Sequence, residues 1–386
     1  MPSKAREQWP LDPAVTYLNH GSFGACPRAV IAEQRLIADA LEREPVRFMF
    51  DERASRLAEA RCAMSDFVGA DPRDVVFVNN ATAGVNAVLR SLQFSAGDEL
   101  LTTNHAYPAC RYVLDFVAQR SGAAVVVADV PFPISDEQQV TDAVMAAVTP
   151  RTKIALIDHV TSATGLVFPI VQLAASLKAR GVPLLVDGAH APGMVELDLD
   201  SLGASYYAGN FHKWGCAPKG TAMLWVRRDL QAAIYPPVIS HGYAAPSEQR
   251  FQAMFDWTGT EDPSAWLTLP FALKFMAELG GSWEQVRAKN RQLALAARRC
   301  LCEAWGVEIP APESMIGSLA AIALPSGHVH TLALDPLQFE LREQHGFQVV
   351  VSPWPRPPAR VLRVSAQLYN SLGEYQRLAG VVKGLL

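Results

Sequence analysis

A chain of 386 residues, half of them hydrophobic and 19% charged, has material for a large core and, because single cores stop growing near roughly 250–300 residues, for a second domain. The net charge of −4 and the absence of any basic run interleaved with aromatics argue against nucleic-acid binding, and six cysteines in a chain of this length are not a disulfide framework. The start, Met1-Pro-Ser-Lys-Ala-Arg6, carries no apolar leader and no apolar run approaches the ~20 residues of a membrane span, so a cytoplasmic protein with no membrane partner is expected.

In chain order, residues 1–28 read as irregular, punctuated by Pro10, Pro13 and Pro27, with a tight turn possible at Gly21-Ser-Phe-Gly24. Apolar residues at helical spacing predict helices over Ala29–Glu42 and Glu52–Val68, broken by Glu44-Pro-Val-Arg-Phe48. Arg47 in that break reads as a solvated arginine, with a substrate carboxylate as the other option. From Val75 a strand–turn–helix pattern repeats. Strands are expected at Val75–Val78, Glu99–Thr103, Ala124–Asp129, Lys153–Asp158, Pro183–Val186, Ala204–Tyr207 and Ala222–Val226. Helices are expected at Ala83–Leu92, Arg111–Arg120, Asp136–Val148 and Val171–Arg180, the last capped by Gly181. This alternation predicts an α/β fold with a mostly parallel sheet covered on both faces and ligands at the carboxyl ends of its strands.

An irregular connector through Pro236-Pro237 and Gly242–Ser247 follows, then helices at Ser264–Leu279 and Trp283–Trp305. Strands Ser318–Leu324, Phe347–Val351 and Arg360–Val364, a turn at Gly327–His330, and helices Pro336–Gln344 and Gly373–Leu385 suggest a small α+β domain. The expected division is 1–28 as an N-terminal segment, 29–264 as the large domain, and 265–386 as linking helix and small domain.

The chemistry centres on Ala208-Gly-Asn-Phe-His-Lys-Trp-Gly-Cys-Ala-Pro-Lys-Gly220. A lysine among small and aromatic residues, here Lys213, loses charge on burial and becomes a free amine able to condense with an aldehyde. Upstream, Asp187 ends an apolar strand. An aspartate for a pyridinium nitrogen and a lysine for an aldehyde are what pyridoxal 5'-phosphate requires. Asn80-Ala-Thr82, opening a helix after a strand, is either a phosphate-receiving turn or an ordinary N-cap. Arg363, flanked by Leu362 and Val364, needs an anion, either a structural carboxylate or a substrate's. No G-x-G-x-x-G or P-loop occurs. Neither Cys300-x-Cys302 nor His212 with His190 or His159 has the partners of a metal site, and His328 and His330 are expected to be exposed.

Seven pieces in order, Tyr17-Leu-Asn-His-Gly-Ser-Phe-Gly24, Asn79-Asn-Ala-Thr82, Asp158-His-Val-Thr-Ser-Ala-Thr-Gly165, Asp187-Gly-Ala-His190, Asn210-Phe-His-Lys213, Trp257-Thr-Gly-Thr260 and Leu362-Arg-Val-Ser365, resemble the class V aminotransferase group of fold-type-I pyridoxal-phosphate enzymes. Within that group they look like the isopenicillin N epimerase-like branch. The resemblance implies a large domain with a mostly parallel, seven-stranded-type sheet beside a small α+β domain. It implies that Lys213 holds the cofactor and serves as base for the α-proton, Asp187 keeps the ring protonated, and His190 bonds the ring oxygen or the linkage to the lysine. Ala81, Thr82, Asn210 and His212 would take the phosphate. Tyr107, with His105 as the alternative, would stack on the ring, and Thr161 would reach its phenolic oxygen. Thr260 would serve the cofactor phosphate of a neighbouring subunit, implying a homodimer with shared sites. Asn19, His20 and Gly21 would fold over the mouth on the substrate side, and Arg363 would clamp the carboxylate of an amino-acid substrate. Epimerisation is the first expected reaction, with transamination or a C–S lyase reaction as runner-up. A cysteine desulfurase is disfavoured, because Val351-Ser-Pro-Trp-Pro-Arg-Pro-Pro-Ala-Arg360 is Pro-rich and has no thiol. A degenerate, non-enzymatic binding protein is disfavoured because Lys213, Asp187 and Arg363 are all present. Trp214, Trp257, Trp354 and Tyr369 are expected near the site, suiting an apolar or extended substrate side chain.

Overall fold

The computed structural model describes residues 4–326 and 335–386; the turn expected at Gly327–His330, with His328 and His330, lies outside them. Twelve strands occur in the described residues: β1 (Thr16–Tyr17), β2 (Val75–Val78), β3 (Glu99–Thr103), β4 (Ala124–Ala128), β5 (Thr152–Asp158), β6 (Leu184–Gly188), β7 (Tyr206–Asn210), β8 (Ala222–Val226), β9 (Leu319–Leu324), β10 (Phe347–Gln348), β11 (Val350–Pro353) and β12 (Arg360–Ser365). Seven form one sheet in the order β2-β8-β7-β6-β5-β3-β4. Only β8 runs against its neighbours; every other pairing in the sheet is parallel.

These strands are apolar on both faces because helices cover both. Along β2, Val75 and Phe77 join one core while Val76 and Val78 join the other; along β5, Ala155 and Ile157 alternate with Ile154 and Leu156 in the same way. The period-two alternation thus separates two cores rather than a core from solvent. On one side lie the helices Arg28–Arg43, Arg53–Val68, Ile170–Ala179 and Leu269–Gly280, and on the other Ala81–Ser91, Pro108–Ser121 and Ser247–Asp256.

A second, antiparallel sheet, β11-β12-β9, packs with Trp283–Trp305 and Leu372–Leu385 around a third core. The N-terminal segment is not wholly irregular. Its β1 pairs with β10, Thr16 opposite Phe347, and the next residue bonds β12 through Ser365 N–H to the Leu18 carbonyl. That pairing carries Asn19–Ser22 to the carboxyl edge of the large sheet.

Several expected elements change. Phe347–Val351 is two strands, since β10 pairs with β1 and β11 with β12. Glu44–Phe48 does not unwind the chain; Pro45–Arg47 and Phe48–Glu52 remain helical turns joining the flanking helices, with Phe48 buried and Arg47 exposed beside Glu44 and Glu52. A helix at Ser247–Asp256 occupies part of the expected connector, and Ser264–Leu279 divides into Ser264–Leu267 and Leu269–Gly280, Pro270 opening the second piece. No helix of the described residues is long and apolar enough to cross a membrane.

Candidate active site

Because β2, β3, β5, β6 and β7 run the same way, their carboxyl ends meet along one edge, where residues following each strand line a cleft of 420 Å³. β2 contributes Asn80–Thr82, β3 Tyr107, β5 Asp158, Val160 and Ser162, β6 Asp187, Ala189 and His190, and β7 Asn210, His212 and Lys213; Ser22 and Phe23 of the N-terminal segment complete the wall. This is the place a doubly wound sheet reserves for ligands.

Lys213 leaves β7 into a turn held by N–H bonds from Phe211 and His212 to the Thr221 carbonyl and from Cys216 to the Lys213 carbonyl. Gly24 lies against this turn so closely that a Cβ there would meet the His212 carbonyl oxygen at 1.9 Å, and its φ of +69° suits glycine. Burial first, then Arg363, brings the Lys213 ammonium down to about 8. Nζ lies 3.2 Å from His190 Nε2, and His190 Nδ1 lies 3.4 Å from Trp214 Nε1. Indole N–H only donates, so Nδ1 accepts and the neutral imidazole carries its proton on Nε2. Burial and the surrounding cations hold His190 well below the usual histidine range. A neutral imidazole donating to a free amine is the consistent assignment.

Asp187 is buried, and both its oxygens have donors: Ala189 N–H on Oδ1 at 3.0 Å and Cys110 Sγ on Oδ2 at 3.0 Å. At the helix start over Ala81–Ser91, Ala81 N–H donates to Asn210 Oδ1, Ala83 N–H to Asn80 Oδ1, and Gly84 N–H to the Asn80 carbonyl. Of the first-turn donors only Thr82 N–H has no partner among the described residues, and Thr82 lines the cleft. His212 donates from Nδ1 to the Thr221 carbonyl at 3.2 Å, and burial holds it neutral, at about 4.

Arg363, on β12, is buried yet touches only neutral oxygens: Nη1 donates to the Ser162 carbonyl and hydroxyl, Nη2 to Asn19 Oδ1 at 3.2 Å and Ser22 Oγ at 3.0 Å, and Nε has no partner. No carboxylate among the described residues forms an ion pair with it. Burial lowers even this guanidinium, to about 10.

The structure thus brings together Lys213, Asp187, His190, Ala81, Thr82, Tyr107, Asn210 and His212, and corrects five expectations. Thr161 does not face the cleft; its hydroxyl is spent inside its own turn, on Thr164 Oγ1 at 2.7 Å and Leu166 N–H at 2.9 Å, and Ser162 takes the lining position. His20 is no substrate-side residue. Its ring accepts from the Tyr369 hydroxyl and donates to the Lys213 carbonyl, a buried strut under the turn that carries Lys213, held at about 3. Gly21 is packed against Leu319, its N–H on Ser365 Oγ; of that segment Asn19 accepts from Arg363 Nη2 at 3.2 Å. The Ala81 N–H, being taken by Asn210, is not open to a phosphate. Finally, of the four aromatics expected near the site, Trp214 is there, buried behind the wall with its Nε1–H on His190 Nδ1, but Trp354 and Tyr369 are buried elsewhere, Trp257 lies under Arg53, and none of the four lines the cleft.

Of the two flat side chains at the end of β3, only Tyr107 lines the cleft; His105 is buried against Trp354 and bonded to Thr164 and the Val130 carbonyl. Thr260 is exposed and outside the cleft. Sequence reasoning missed Asp158, Ser162, Ser22 and Cys110. Asp158 was legible in principle, as the acidic end of a second apolar strand.

The Aminotransferase class-V family model matches residues 27–378. The chain belongs to the class V aminotransferase family. It is 36% identical to an isopenicillin N epimerase of Amycolatopsis lactamdurans over 99% of this chain and 98% of that protein. To a probable chloroplastic L-cysteine desulfhydrase of Arabidopsis thaliana it is 29% identical over 97% and 84%. Among solved structures, a cysteine desulfurase of Thermococcus onnurineus NA1 superposes with a TM-score of 0.79 at 20% identity, covering 99% of this chain and 97% of that one. The fold is that of fold-type-I enzymes, and this chain is an enzyme of the class V, aminotransferase-like kind, a family that works with pyridoxal 5'-phosphate. Its cleft fits that group: an amine brought down to about 8, a buried carboxylate with a donor on each oxygen, and a helix N–H without a partner among the described residues.

Proposed function

We propose that this chain is a pyridoxal-phosphate enzyme acting at the α-carbon of an amino acid or amino-acid-bearing metabolite, an amino-acid epimerase of the isopenicillin N epimerase kind working in the cytoplasm. The observation that carries the α-amino-acid substrate is Arg363, a buried guanidinium whose Nε has no partner and which has no carboxylate, bonded to Ser22 and Ser162 in the wall of the cleft that holds Lys213, a lysine brought down to about 8. The identity of 36% and 33% to two isopenicillin N epimerases over 99% of the chain supports the reaction type.

Lys213 would hold the cofactor, with Asp187 facing the ring nitrogen and Thr82 N–H, Asn210 and His212 around the phosphate. Bound there, pyridoxal phosphate supplies the electron sink that makes an α-proton acidic. The chain's own residues do the rest. Arg363 fixes the carboxylate with parallel hydrogen bonds. Lys213 Nζ, half in its free-amine form near pH 8, would take the α-proton from its own face, steadied by His190 Nε2–H, and epimerisation requires that a proton then reach the α-carbon from the opposite face. Asp187, its two oxygens already held by Ala189 and Cys110, keeps a negative charge where a pyridinium needs one. His212, neutral by itself with Nδ1 tied to Thr221, becomes a donor to phosphate only by taking a proton at Nε2.

The second reading, a C–S lyase, has support in the cysteine desulfhydrase likeness, whereas a persulfide-forming desulfurase does not, because Val351–Arg360 has no cysteine and Cys110 is committed to Asp187. We further propose, on the family resemblance, a homodimer with shared sites in which Thr260, exposed and outside its own cleft, serves the cofactor of the second subunit.

Purified protein with added pyridoxal phosphate is incubated with L- and D-amino acids in heavy water and followed by visible absorbance and proton NMR. Loss of the α-proton signal with appearance of the other enantiomer is the expected result. A keto acid, or release of pyruvate, ammonia and a thiol, would move the assignment to transamination or lyase. A protein that stays colourless with the cofactor, or colours equally as Lys213→Ala, would remove the reading altogether.

A further inference from the structure

Asp158 is a second buried carboxyl beside Asp187. The two stand opposite each other on neighbouring parallel strands, both line the cleft, and nothing in the mechanism above uses Asp158. Two carboxylates so placed cannot both hold a charge cheaply: burial disfavours each, and each disfavours the other. Which one carries the proton is decided by the donors around them. Asp187 receives a hydrogen bond on each oxygen, from Ala189 N–H and from Cys110 Sγ. Asp158 has the backbone N–H of Tyr107 directed at its carboxyl, while its Oδ1 is buried with no partner. Donors stabilise the charged form, so the negative charge belongs on Asp187 and the proton on Asp158. An orphaned carboxylate oxygen is costly, and protonation turns it into a hydroxyl able to donate.

We propose that Asp158 is the neutral, proton-holding member of a carboxyl pair, which leaves Asp187 as the single negative charge on the cleft floor. Burial, followed by the Asp187 charge, pushes the Asp158 carboxyl well above the usual carboxylate range, in agreement with the donor census.

The protonation assignment stands without a cofactor, and only its consequence for ligand binding rests on the pyridoxal-phosphate reading. Infrared spectra of the protein at pH 7, alone and with pyridoxal phosphate, are therefore compared for wild type, Asp158→Asn, Asp187→Asn and Cys110→Ser. The wild type is expected to show the carbonyl stretch of a protonated carboxylic acid. It should shift when aspartate is carbon-13 labelled, vanish in Asp158→Asn and persist in Cys110→Ser. The isotope shift is read in the unmutated protein, so the test survives a variant that fails to fold. No isotope-sensitive band, or one that Asp187→Asn removes and Asp158→Asn does not, overturns the assignment. Cofactor affinity gives the second arm. Asp158→Asn, which mimics a neutral acid, should bind pyridoxal phosphate within about threefold of wild type, whereas Asp187→Asn should bind roughly tenfold or more weakly. Equal weakening by both variants would mean that Asp158 is charged. If no variant nor the wild type binds the cofactor while the infrared band behaves as expected, the cofactor reading fails and the carboxyl pair stands.

Discussion

Two buried arginines show what a finished cation looks like and what an unfinished one does. Arg61, under the large sheet, sets Nη2 on both oxygens of Asp256 at 2.7 and 2.8 Å and Nη1 on the Val75 carbonyl at 3.0 Å. Arg363, at the cleft, is just as buried, yet it has four neutral contacts, an empty Nε and no carboxylate. Taking a guanidinium out of water costs several kcal/mol unless an anion repays it. At Arg61 the fold supplies the anion. At Arg363 the cost is left standing in the free protein, and Asn19, Ser22 and Ser162 only orient the fork. The difference teaches that burial alone does not mark a functional charge; a buried charge with its counter-charge missing does.

Arg363→Met breaks the comparison on the functional side and carries the largest expected effect. Removing the partner of a desolvated carboxylate costs about 2–5 kcal/mol, so kcat/KM for an α-amino acid should fall roughly 30-fold to several thousand-fold while the melting temperature stays level or rises. A variant that keeps its kcat/KM would return Arg363 to a structural role. Arg61→Met should behave oppositely. It strands Asp256, whose side chain keeps 24% exposure, and should cost about 3 kcal/mol of stability, below the full penalty for a wholly buried pair. Denaturant titration checks it, and the ligand-binding step of folded protein should be unmoved.

How far the sequence carried the site depends on which physical feature encodes each part. The sheet was legible because its strands are short apolar runs between turn residues; β2, β3 and β8 match their expected bounds. The helix Ser247–Asp256 was not, although Phe251, Met254 and Phe255 have helical spacing and pack on the second core. Its opening Glu248-Gln-Arg250 and the preceding Pro246 are polar or helix-breaking, and residues 248–255 received no element. Lys213, Asp187, Thr82 and Tyr107 could be placed because each follows a strand that points at the same edge. Side-chain direction inside a turn could not be placed. Thr161 and Ser162 are adjacent hydroxyls, and only the bonds to Thr164 and Leu166 decide that the first faces inward and the second lines the cleft. His20 shows the same limit, its role being fixed by Tyr369 and by the Lys213 carbonyl, both distant in sequence.

Lys213 is a second unfinished cation, and its prediction sharpens the comparison through pH. Its ordinary value of 10.5 is brought to about 8 by burial, with Arg363 adding repulsion. Between these values the unfolded chain binds a proton that the folded one does not, so stability rises with pH across that window. The cost is fully present below about pH 8 and fades toward 10.5. Lys213→Met should accordingly make the cofactor-free protein more stable at pH 7 by about 3 kcal/mol, the 10.5-to-8 difference at 1.36 kcal/mol per unit. The gain should shrink to nothing near pH 10.5. A gain that does not depend on pH would mean that methionine simply packs better.

The smallest effect tests how the amine is kept ready. Trp214 Nε1–H on His190 Nδ1 forces the imidazole proton onto Nε2, toward Lys213 Nζ. That donor opposes an ammonium and suits a free amine. In Trp214→Phe the ring is released from this requirement and can turn its Nε2 lone pair to the lysine, which favours the charged form. A neutral hydrogen bond is worth about 1 kcal/mol, so the midpoint of Lys213 should move from about 8 to higher pH by less than about one unit. The pH dependence of cofactor uptake by the free protein reads this directly. A midpoint that stays in place would show that burial alone holds the lysine neutral, with the indole there only to fill space. A midpoint that falls would mean that the imidazole proton sits on Nδ1 in the native protein, and the donor–acceptor assignment around His190 would reverse.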